Sequence, residues 1–322
     1  MAARAWNQIF PHGSFSVPSP QLLSPTDQPR RGTGFYLACY EEKHFLLKEL
    51  ELDPKEAEFN VTLIDKVGSL LQLNHENTTK YFGLSLGQFT FDDKGYCRIS
   101  SQYYSGGDLN RWVRQLSHNA HQPIEQLVPH TTIRQLLRDL LEGLHHIYTV
   151  FGIIHCDIKP ENLVLRFTDQ PHLAIIDFED SVFSDHLHGK VENTVFTKRY
   201  AAPELLLCSF TLDIDLISHK TDIWSVGCVA LQMYTGQKPI IQQWIPSQER
   251  MGIWDGQYGE LSFNETYQIT FQVSKCQARP KVSPGMDTLL FAFIQSCLQF
   301  NMDSRSTAMG LLEDPNGYLA AS

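Results

Sequence analysis

Hydrophobic and polar positions divide the chain into an early part that predicts strands and a later part that predicts helices. Short apolar runs separated by polar turns predict strands at 35–40, 44–50, 79–84 and 96–104, and residues 55–73 show helical spacing between them. After residue 107 helical patterns dominate, at 108–116, 131–150, 217–234 and 286–299, and strand-like runs remain only at 163–165 and 174–176. The pattern therefore predicts an α+β architecture, with a small sheet-rich part followed by a larger helical part.

The chain is expected to contain three segments. Residues 1–29 are rich in Pro and Ser and have no sustained period, which predicts an N-terminal extension. Residues 30–104 form the sheet-rich part, and residues 105–322 form the helical part.

Composition narrows the function classes. A chain of 322 residues with 42% hydrophobic and 19% charged residues is typical of a soluble globular protein. Its net charge of −10 gives no basic surplus to neutralise phosphates, so we expect no nucleic-acid partner. Because no apolar run reaches the roughly 18 residues of a membrane span, none is predicted. The 7 cysteines are scattered and odd in number, which indicates reduced thiols in the cytosol or nucleus.

The segment from His155 to Asn162 carries the most informative chemistry. It places Asp157, Lys159 and Asn162 on one short polar loop between a predicted helix and a predicted strand. In phosphoryl transfer a carboxylate accepts the proton of the attacking hydroxyl, a lysine offsets charge on the phosphoryl group, and an amide oxygen holds a metal. Asp177 follows the next buried strand, where a second Mg²⁺ ligand is expected. Taken alone, the loop also fits a polar connection with a capping Asp.

Further motifs make the chain resemble the eukaryotic protein kinase family from about residue 30 to residue 312. They occur in the family's order: Phe45-Leu46-Leu47-Lys48, the His155–Asn162 loop, Asp177-Phe178-Glu179, Ala202-Pro203-Glu204, and the segment 222–227. The resemblance implies a bilobal fold, ATP and Mg²⁺ as cofactors, and protein substrates. Lys159 and the segment 197–201 resemble the Ser/Thr members of the family.

The resemblance also implies roles for individual residues. Asp157 and Lys159 would be catalytic, Asn162 and Asp177 would bind metal, and Thr197 would belong to the substrate loop. Glu204, Asp222 and Arg305 would be structural, with Arg305 pairing with Glu204. The ATP site would comprise Gly32, Gly34, Lys48, Gln102, Tyr104 and Asp108. Asp108 fits an N-cap of the following helix equally well.

The chain departs from the family pattern at several positions. Only Gly32-Thr33-Gly34 stands for the phosphate-covering glycine loop. Lys66 occupies the place of the helix Glu that pairs with the strand Lys, so Lys48 is expected to lack that partner unless Asp65 turns inward. Glu179 replaces a glycine and should cluster with Asp177 and Asp180 near the metal.

Cys156 replaces an arginine that usually contacts a phosphorylated activation loop, so such phosphorylation is not expected to be the switch. The departures leave two leading hypotheses, an active Ser/Thr kinase and a pseudokinase that acts as a nucleotide-binding or scaffold module. A small-molecule phosphotransferase is a third, and the segments 202–204 and 222–227 argue against it. Substrates and regulatory partners are not predicted.

Overall fold

The computed structural model of the chain describes residues 33–40, 43–52, 66–88, 95–119, 128–184, 196–211, 213–245, 250–254, 273, 278–282 and 285–320. The chain divides into two compact units, Met1–Ser105 and Gly106–Ser322. The predicted extension 1–29 lies outside the described residues.

The first unit is built on a four-stranded antiparallel sheet. Its strands are β1 (Thr33–Tyr40), β2 (Lys43–Leu52), β3 (Tyr81–Gln88) and β4 (Gly95–Gln102), in the order β1-β2-β4-β3. Alternation buries one face, where Phe45, Leu47 and Ile99 are all less than one-tenth exposed. Residues 66–70 are helical and bury Val67 and Leu70. All four predicted strands are present, and most of the predicted ends lie within three residues of the observed ends.

The second unit contains six described helices. They are α1 (Leu109–Asn119), α2 (His130–Phe151), α3 (Pro203–Thr211), α4 (His219–Thr235), α5 (Thr288–Cys297) and α6 (Ala308–Leu312). Helix α4 is buried on every face from Thr221 to Tyr234, so it forms the centre of this core. Ser218 and Thr221 form a capping box at its start, and Gly236 ends it at φ 71°, which favours glycine.

The second unit also contains more strands than predicted. The hairpin of β6 (Leu163–Phe167) and β7 (Pro171–Ile175) agrees with the predicted runs, and β5 (Ile153–Ile154) pairs with β8 (Val182–Phe183). A further sheet has the order β10-β9-β11, formed by Arg250–Trp254, Ile241–Ile245 and Ala278–Pro280. The prediction of only two strand-like runs in this part was therefore wrong, because pairing with distant segments stabilises strands too short to show a period.

Within the described part of the chain, no helix combines the length and the apolar character needed to cross a membrane.

Candidate active site

The backbone of the loop that carries Asp157 is held in place by the buried carboxylate of Asp222. Helix α2 ends before Gly152, strand β5 follows, and the loop begins at His155. The backbone N–H of His155 donates to Asp222 Oδ2 at 2.8 Å, and that of Cys156 donates to Oδ1 at 2.9 Å. Burial raises the pKa of Asp222, and the contacts with His155 and Cys156 oppose that shift. One carboxylate on α4 thereby sets the backbone position of the two residues before Asp157.

The imidazole of His155 connects this loop to the end of β7. Its Nδ1 lies 3.3 Å from the backbone nitrogen of Asp157, and its Nε2 lies 2.8 Å from the carbonyl oxygen of Ile176. A carbonyl can only accept, so Nε2 carries the proton and Nδ1 accepts from Asp157. The ring also contacts Phe178, with centroids 5.0 Å apart. His155 thus links the segments that carry Asp157 and Asp177.

Two residues of the site have a left-handed backbone. Cys156 has φ 65° and Asp177 has φ 68°, and these are the positive-φ residues other than glycine in the described part of the chain. Such conformations are costly for residues with a β-carbon and persist where the surrounding contacts enforce them. Cys156 precedes Asp157, and Asp177 is itself a predicted metal ligand, so the two strained positions coincide with the predicted chemistry.

The structure brings Asp157, Lys159 and Thr197 together. Asp157 is 4% exposed, and its Oδ2 accepts from Lys159 Nζ at 2.6 Å. The same ammonium donates to Thr197 Oγ1 at 2.8 Å, and the backbone N–H of Thr197 donates to Asp157 Oδ1 at 2.8 Å. Asn162 Nδ2 adds a third donor, 3.2 Å from Oδ2. Both oxygens of the Asp157 carboxylate are therefore hydrogen-bonded, which holds the carboxylate in one orientation.

The two predicted metal ligands lie at the open end of the β6–β7 hairpin, Asn162 just before β6 and Asp177 shortly after β7. The backbone N–H of Ile176 donates to the carbonyl of Asn162 at 3.0 Å, which extends the pairing to the residue before Asp177. Asn162 Nδ2 is oriented by the Asp157 carbonyl at 2.9 Å, so Asn162 can present its amide oxygen to a cation. An amide oxygen and a carboxylate suit Mg²⁺, which is usually bound by one or two protein ligands together with phosphate oxygens. The donor set therefore fits Mg²⁺.

The structure describes part of the predicted acidic cluster around Asp177. Phe178 is fully buried, and Glu179 follows it in a 3₁₀ turn. Among the side chains that are described, no three His, Cys, Asp or Glu residues form a metal-binding group. The side chain of Asp180 lies outside the described side chains, so the predicted cluster of Asp177, Glu179 and Asp180 stays a prediction.

The predicted structural pair lies in the core of the second unit. Arg305 is 0% exposed at its side chain, and its guanidinium donates to both carboxylate oxygens of Glu204, at 2.5 and 3.0 Å. It also donates to the carbonyls of Gln299 and Lys220, at 2.9 and 2.8 Å. The pair thereby joins the start of α3 to the first turn of α4 and to the segment between α5 and α6.

The predicted ATP contacts of the first unit lie on or next to its sheet. Lys48 lies on β2, opposite Phe35 on β1 and Ile99 on β4, with its ammonium 5.8 Å from the Phe35 ring centroid. Gly34 lies within β1, opposite Glu49, and Gly32 is outside the described residues. Asp65, on which the predicted state of Lys48 depends, is also outside them.

The end of β4 and the segment that follows it hold two further predicted ATP contacts, Gln102 and Tyr104. The backbone N–H of Gln102 donates to the carbonyl of Lys80 at 2.9 Å, so an adenine contact by Gln102 would use its carbonyl. Tyr104 is 8% exposed, and its hydroxyl lies 3.5 Å from the carbonyl of Thr78.

Asp108 belongs to the second unit and caps helix α1. Its Oδ1 accepts from the backbone N–H of Arg111 at 2.8 Å, which is the geometry of an N-cap. Burial raises the pKa of Asp108, and the nearby Glu161 carboxylate raises it further.

A buried polar chain next to the site was not predicted. The hydroxyl of Tyr200 donates to Gln232 Oε1 at 2.5 Å, and Gln232 Nε2 donates to Asn110 Oδ1 at 3.1 Å. Tyr200 follows Thr197 in the segment that contacts Asp157, so Gln232 ties that segment to α4 and α1. A glutamine in an otherwise apolar stretch of helix α4 was the available sequence signal, because buried polar groups need partners.

Comparisons with known proteins agree with this geometry. A sequence profile of the family described as "Protein kinase domain" matches residues 33–316. Mitogen-activated protein kinase kinase 2 of Arabidopsis thaliana is 26% identical over 275 residues, which are 84% of this chain and 64% of that protein. Mitogen-activated protein kinase kinase 3 of the same plant is 26% identical over 279 residues, 86% of this chain and 46% of that protein.

A human relative, mitogen-activated protein kinase kinase kinase 5, is 25% identical over 268 residues, 82% of this chain and 16% of that protein. The chain thus spans less than two thirds of each of these relatives. The predicted bilobal α+β fold is confirmed by the family match and by the sheet-rich first and helical second units. The chain belongs to the protein kinase family.

Proposed function

We propose that the chain transfers the γ-phosphate of ATP to serine or threonine hydroxyls of protein substrates. The observation that carries this proposal is the fixed Asp157 carboxylate, with Lys159 and Thr197 bonded to it and to each other. A carboxylate offers about four acceptor positions, and Lys159, Asn162 and Thr197 use three of them. The remaining position can accept the proton of a substrate hydroxyl.

The other residues of the site would serve the phosphates. Lys159 Nζ, which already donates to Asp157 and Thr197, supplies positive charge beside the reacting oxygens. Asn162 and Asp177 would hold Mg²⁺, which neutralises charge on the transferred phosphoryl group when bound. Thr197 would orient the substrate segment through its link to Lys159. The relatives named as mitogen-activated protein kinase kinases support a protein substrate.

A nucleotide-binding pseudokinase is the second candidate, favoured by Lys66, Glu179 and the incomplete glycine loop. It would bind ATP with Mg²⁺ and transfer nothing. The two candidates make the same prediction for binding and opposite predictions for phosphorylation.

Two measurements on the full chain separate them. ATP with Mg²⁺ at about 100 times Kd should stabilise the folded state by about 2.7 kcal/mol, measured as a shift of the melting midpoint. Asp177→Asn should remove the Mg²⁺-dependent part, whereas Asp157→Asn should keep it. An active enzyme should also phosphorylate a protein substrate or itself, detected by mass spectrometry, and Asp157→Asn should abolish this.

Asp169→Asn is the matched control, because Asp169 is an exposed carboxylate in the β6–β7 turn. It should leave both measurements unchanged. Stabilisation without phosphorylation in the wild type would establish the pseudokinase. A cooperative melt with no response to millimolar ATP and Mg²⁺ would exclude the transferase and the nucleotide-binding pseudokinase, and would leave a scaffold module.

For localisation, we propose a reducing compartment, the cytosol or nucleus. Cys208, Cys228 and Cys297 are buried thiols whose pKa values are raised by burial, which suits cysteines used for packing. Fractionation of cells that express the tagged chain would test this, and recovery from the secretory pathway would contradict it.

A further inference from the structure

A second concave site lies in the helical unit, away from the residues that contact Asp157. It is a cleft of about 180 Å³ between the last turns of α2, the first turns of α4 and the start of α6. Its apolar walls include Leu144, Ile153, Ile223, Ala308 and Met309. None of its lining residues is a proposed catalytic, ATP-binding or metal-binding residue, so the cleft requires its own explanation.

One wall of the cleft is an aromatic stack. The rings of Tyr148 and His219 lie 4.4 Å apart at an angle of 27°, and both residues line the cleft. Burial lowers the pKa of His219, and the neighbouring Lys220 lowers it further, so the imidazole is neutral at pH 7. The stack therefore offers uncharged aromatic surface to a bound molecule.

The two threonine hydroxyls of the cleft have bonds within the protein. Thr149 Oγ1 donates to the carbonyl of His145 at 2.7 Å, and Thr307 Oγ1 accepts from the backbone N–H of Gly310 at 3.0 Å. A charged ligand would lose its hydration in contact with these apolar walls and self-bonded hydroxyls. A neutral ligand would gain by removing apolar surface from water.

The size of the cleft agrees with this chemistry. A cavity of about 150 Å³ lined by aliphatic and aromatic side chains is large enough to bind benzene. We propose that the cleft is a binding site for a neutral aromatic molecule of one or two rings, packed against the Tyr148–His219 stack. Aromatic rings prefer offset or edge-to-face contacts, and Tyr148 and His219 line the cleft as partners for such contacts.

The cleft is connected to the catalytic loop through shared residues. Asp222 borders the cleft and also accepts the backbone N–H groups of His155 and Cys156. Ile153 lines the cleft and lies on β5, which leads directly into the same loop. A molecule bound there would therefore stabilise the backbone that positions Asp157, and the cleft is a regulatory site in this proposal.

Methionine methyl groups give a direct test of binding in the full chain. The sequence contains 6 methionines, and Met309 lines the cleft whereas Met286 does not. In a spectrum of protein labelled with ¹³C at the methionine methyl groups, Met309→Leu identifies the Met309 signal. Phenol or indole should shift that signal in a saturable way and leave the Met286 signal in place. Benzoate, which has a similar ring and a negative charge, should not shift it.

Filling the cleft should abolish the response. Ala308 is buried at the cleft wall, so Ala308→Leu should weaken phenol binding at least threefold and Ala308→Phe at least tenfold. If Ala308→Phe fails to fold, the loss of phenol affinity in Ala308→Leu alone tests the site. The control is Val150→Phe, because Val150 is 60% exposed and does not line the cleft, and it should leave the affinity unchanged.

Hydrogen exchange tests the connection to the catalytic loop. Saturating phenol should slow amide exchange in the peptide that contains residues 153–158, and this effect should be absent in Ala308→Phe, or in Ala308→Leu if the larger variant does not fold. Equal binding of benzoate, or no loss of affinity in either Ala308 variant, would overturn the proposed site. Binding without slower exchange at 153–158 would overturn its regulatory role. None of these measurements uses ATP, so their outcome is independent of the proposed transferase activity.

Discussion

Replacing Arg305 by methionine should destabilise the helical unit strongly. Methionine is long enough to fill much of the site beside Trp224, whose ring centroid lies 5.4 Å from the guanidinium. It cannot donate to Glu204, Gln299 or Lys220, so the substitution removes the hydrogen bonds while keeping most of the packing.

The expected cost follows from the burial of both partners. The side chains of Arg305 and Glu204 are 0% and 10% exposed, so Arg305→Met leaves a carboxylate in the core without its two-pronged donor. Removing one member of a buried ion pair typically costs about 3–5 kcal/mol, mainly because the other charge stays buried. Arg305→Lys should also be costly, because one ammonium cannot match the planar fork that meets both oxygens of Glu204.

Urea unfolding followed by far-UV circular dichroism and by tryptophan fluorescence would measure these costs, and agreement between the two probes would test two-state behaviour. The double variant Arg305→Met with Glu204→Leu removes both charges and should recover at least about 2 kcal/mol relative to the sum of the single variants. If Arg305→Met cost less than about 1 kcal/mol and the two substitutions were additive, the buried pair would not be the stabilising contact described above.

Other substitutions test other contacts. Gly227→Ala would place a β-carbon 2.7 Å from that of the last residue of α5, so it should cost about 1–3 kcal/mol in urea unfolding, whereas Gly68→Ala enters open space and should be neutral or stabilising. His219 has a pKa below its ordinary 6.5, so the unfolded chain binds more protons below that pH and the folded state loses stability as pH falls. His219→Phe should therefore lose less stability than the wild type between about pH 7.5 and about pH 5.5. Gln232→Leu leaves the buried Tyr200 hydroxyl without its acceptor, so it should lower the rate of peptide phosphorylation while ATP with Mg²⁺ still stabilises the variant; an unchanged rate would contradict a positioning role.

The grouping of the loop side chains was predictable from the sequence because they are close together along the chain. Asp157, Lys159 and Asn162 lie within one turn-rich loop, and the structure joins their side chains by direct hydrogen bonds. Helix α4 was also predicted, since a long apolar stretch after a Ser N-cap is a strong helix signal.

Contacts between distant residues were less accessible. The sheet of β9, β10 and β11 was not predicted, because its strands have five residues or fewer and gain stability only from each other. Asp222 accepts hydrogen bonds from the backbone N–H groups of His155 and Cys156, which lie 67 and 66 positions away from it in the sequence. No local pattern indicates such a bond, although a buried Asp in an apolar helix indicates that one must exist.

The exchange of the family's arginine for Cys156 affects charge more than shape. The backbone of Cys156 is fixed by Asp222, and its buried thiol lies 3.6 Å from the carbonyl of Ile154. The left-handed turn at φ 65° therefore forms with a small neutral side chain, and Asp157 is still fixed by Lys159 and Thr197. The contacts that orient Asp157 thus survive this departure. The departures at Lys66 and Glu179 concern the binding of nucleotide and metal. The response to ATP with Mg²⁺ therefore tests whether binding survives them, and the phosphorylation assay then decides between kinase and pseudokinase.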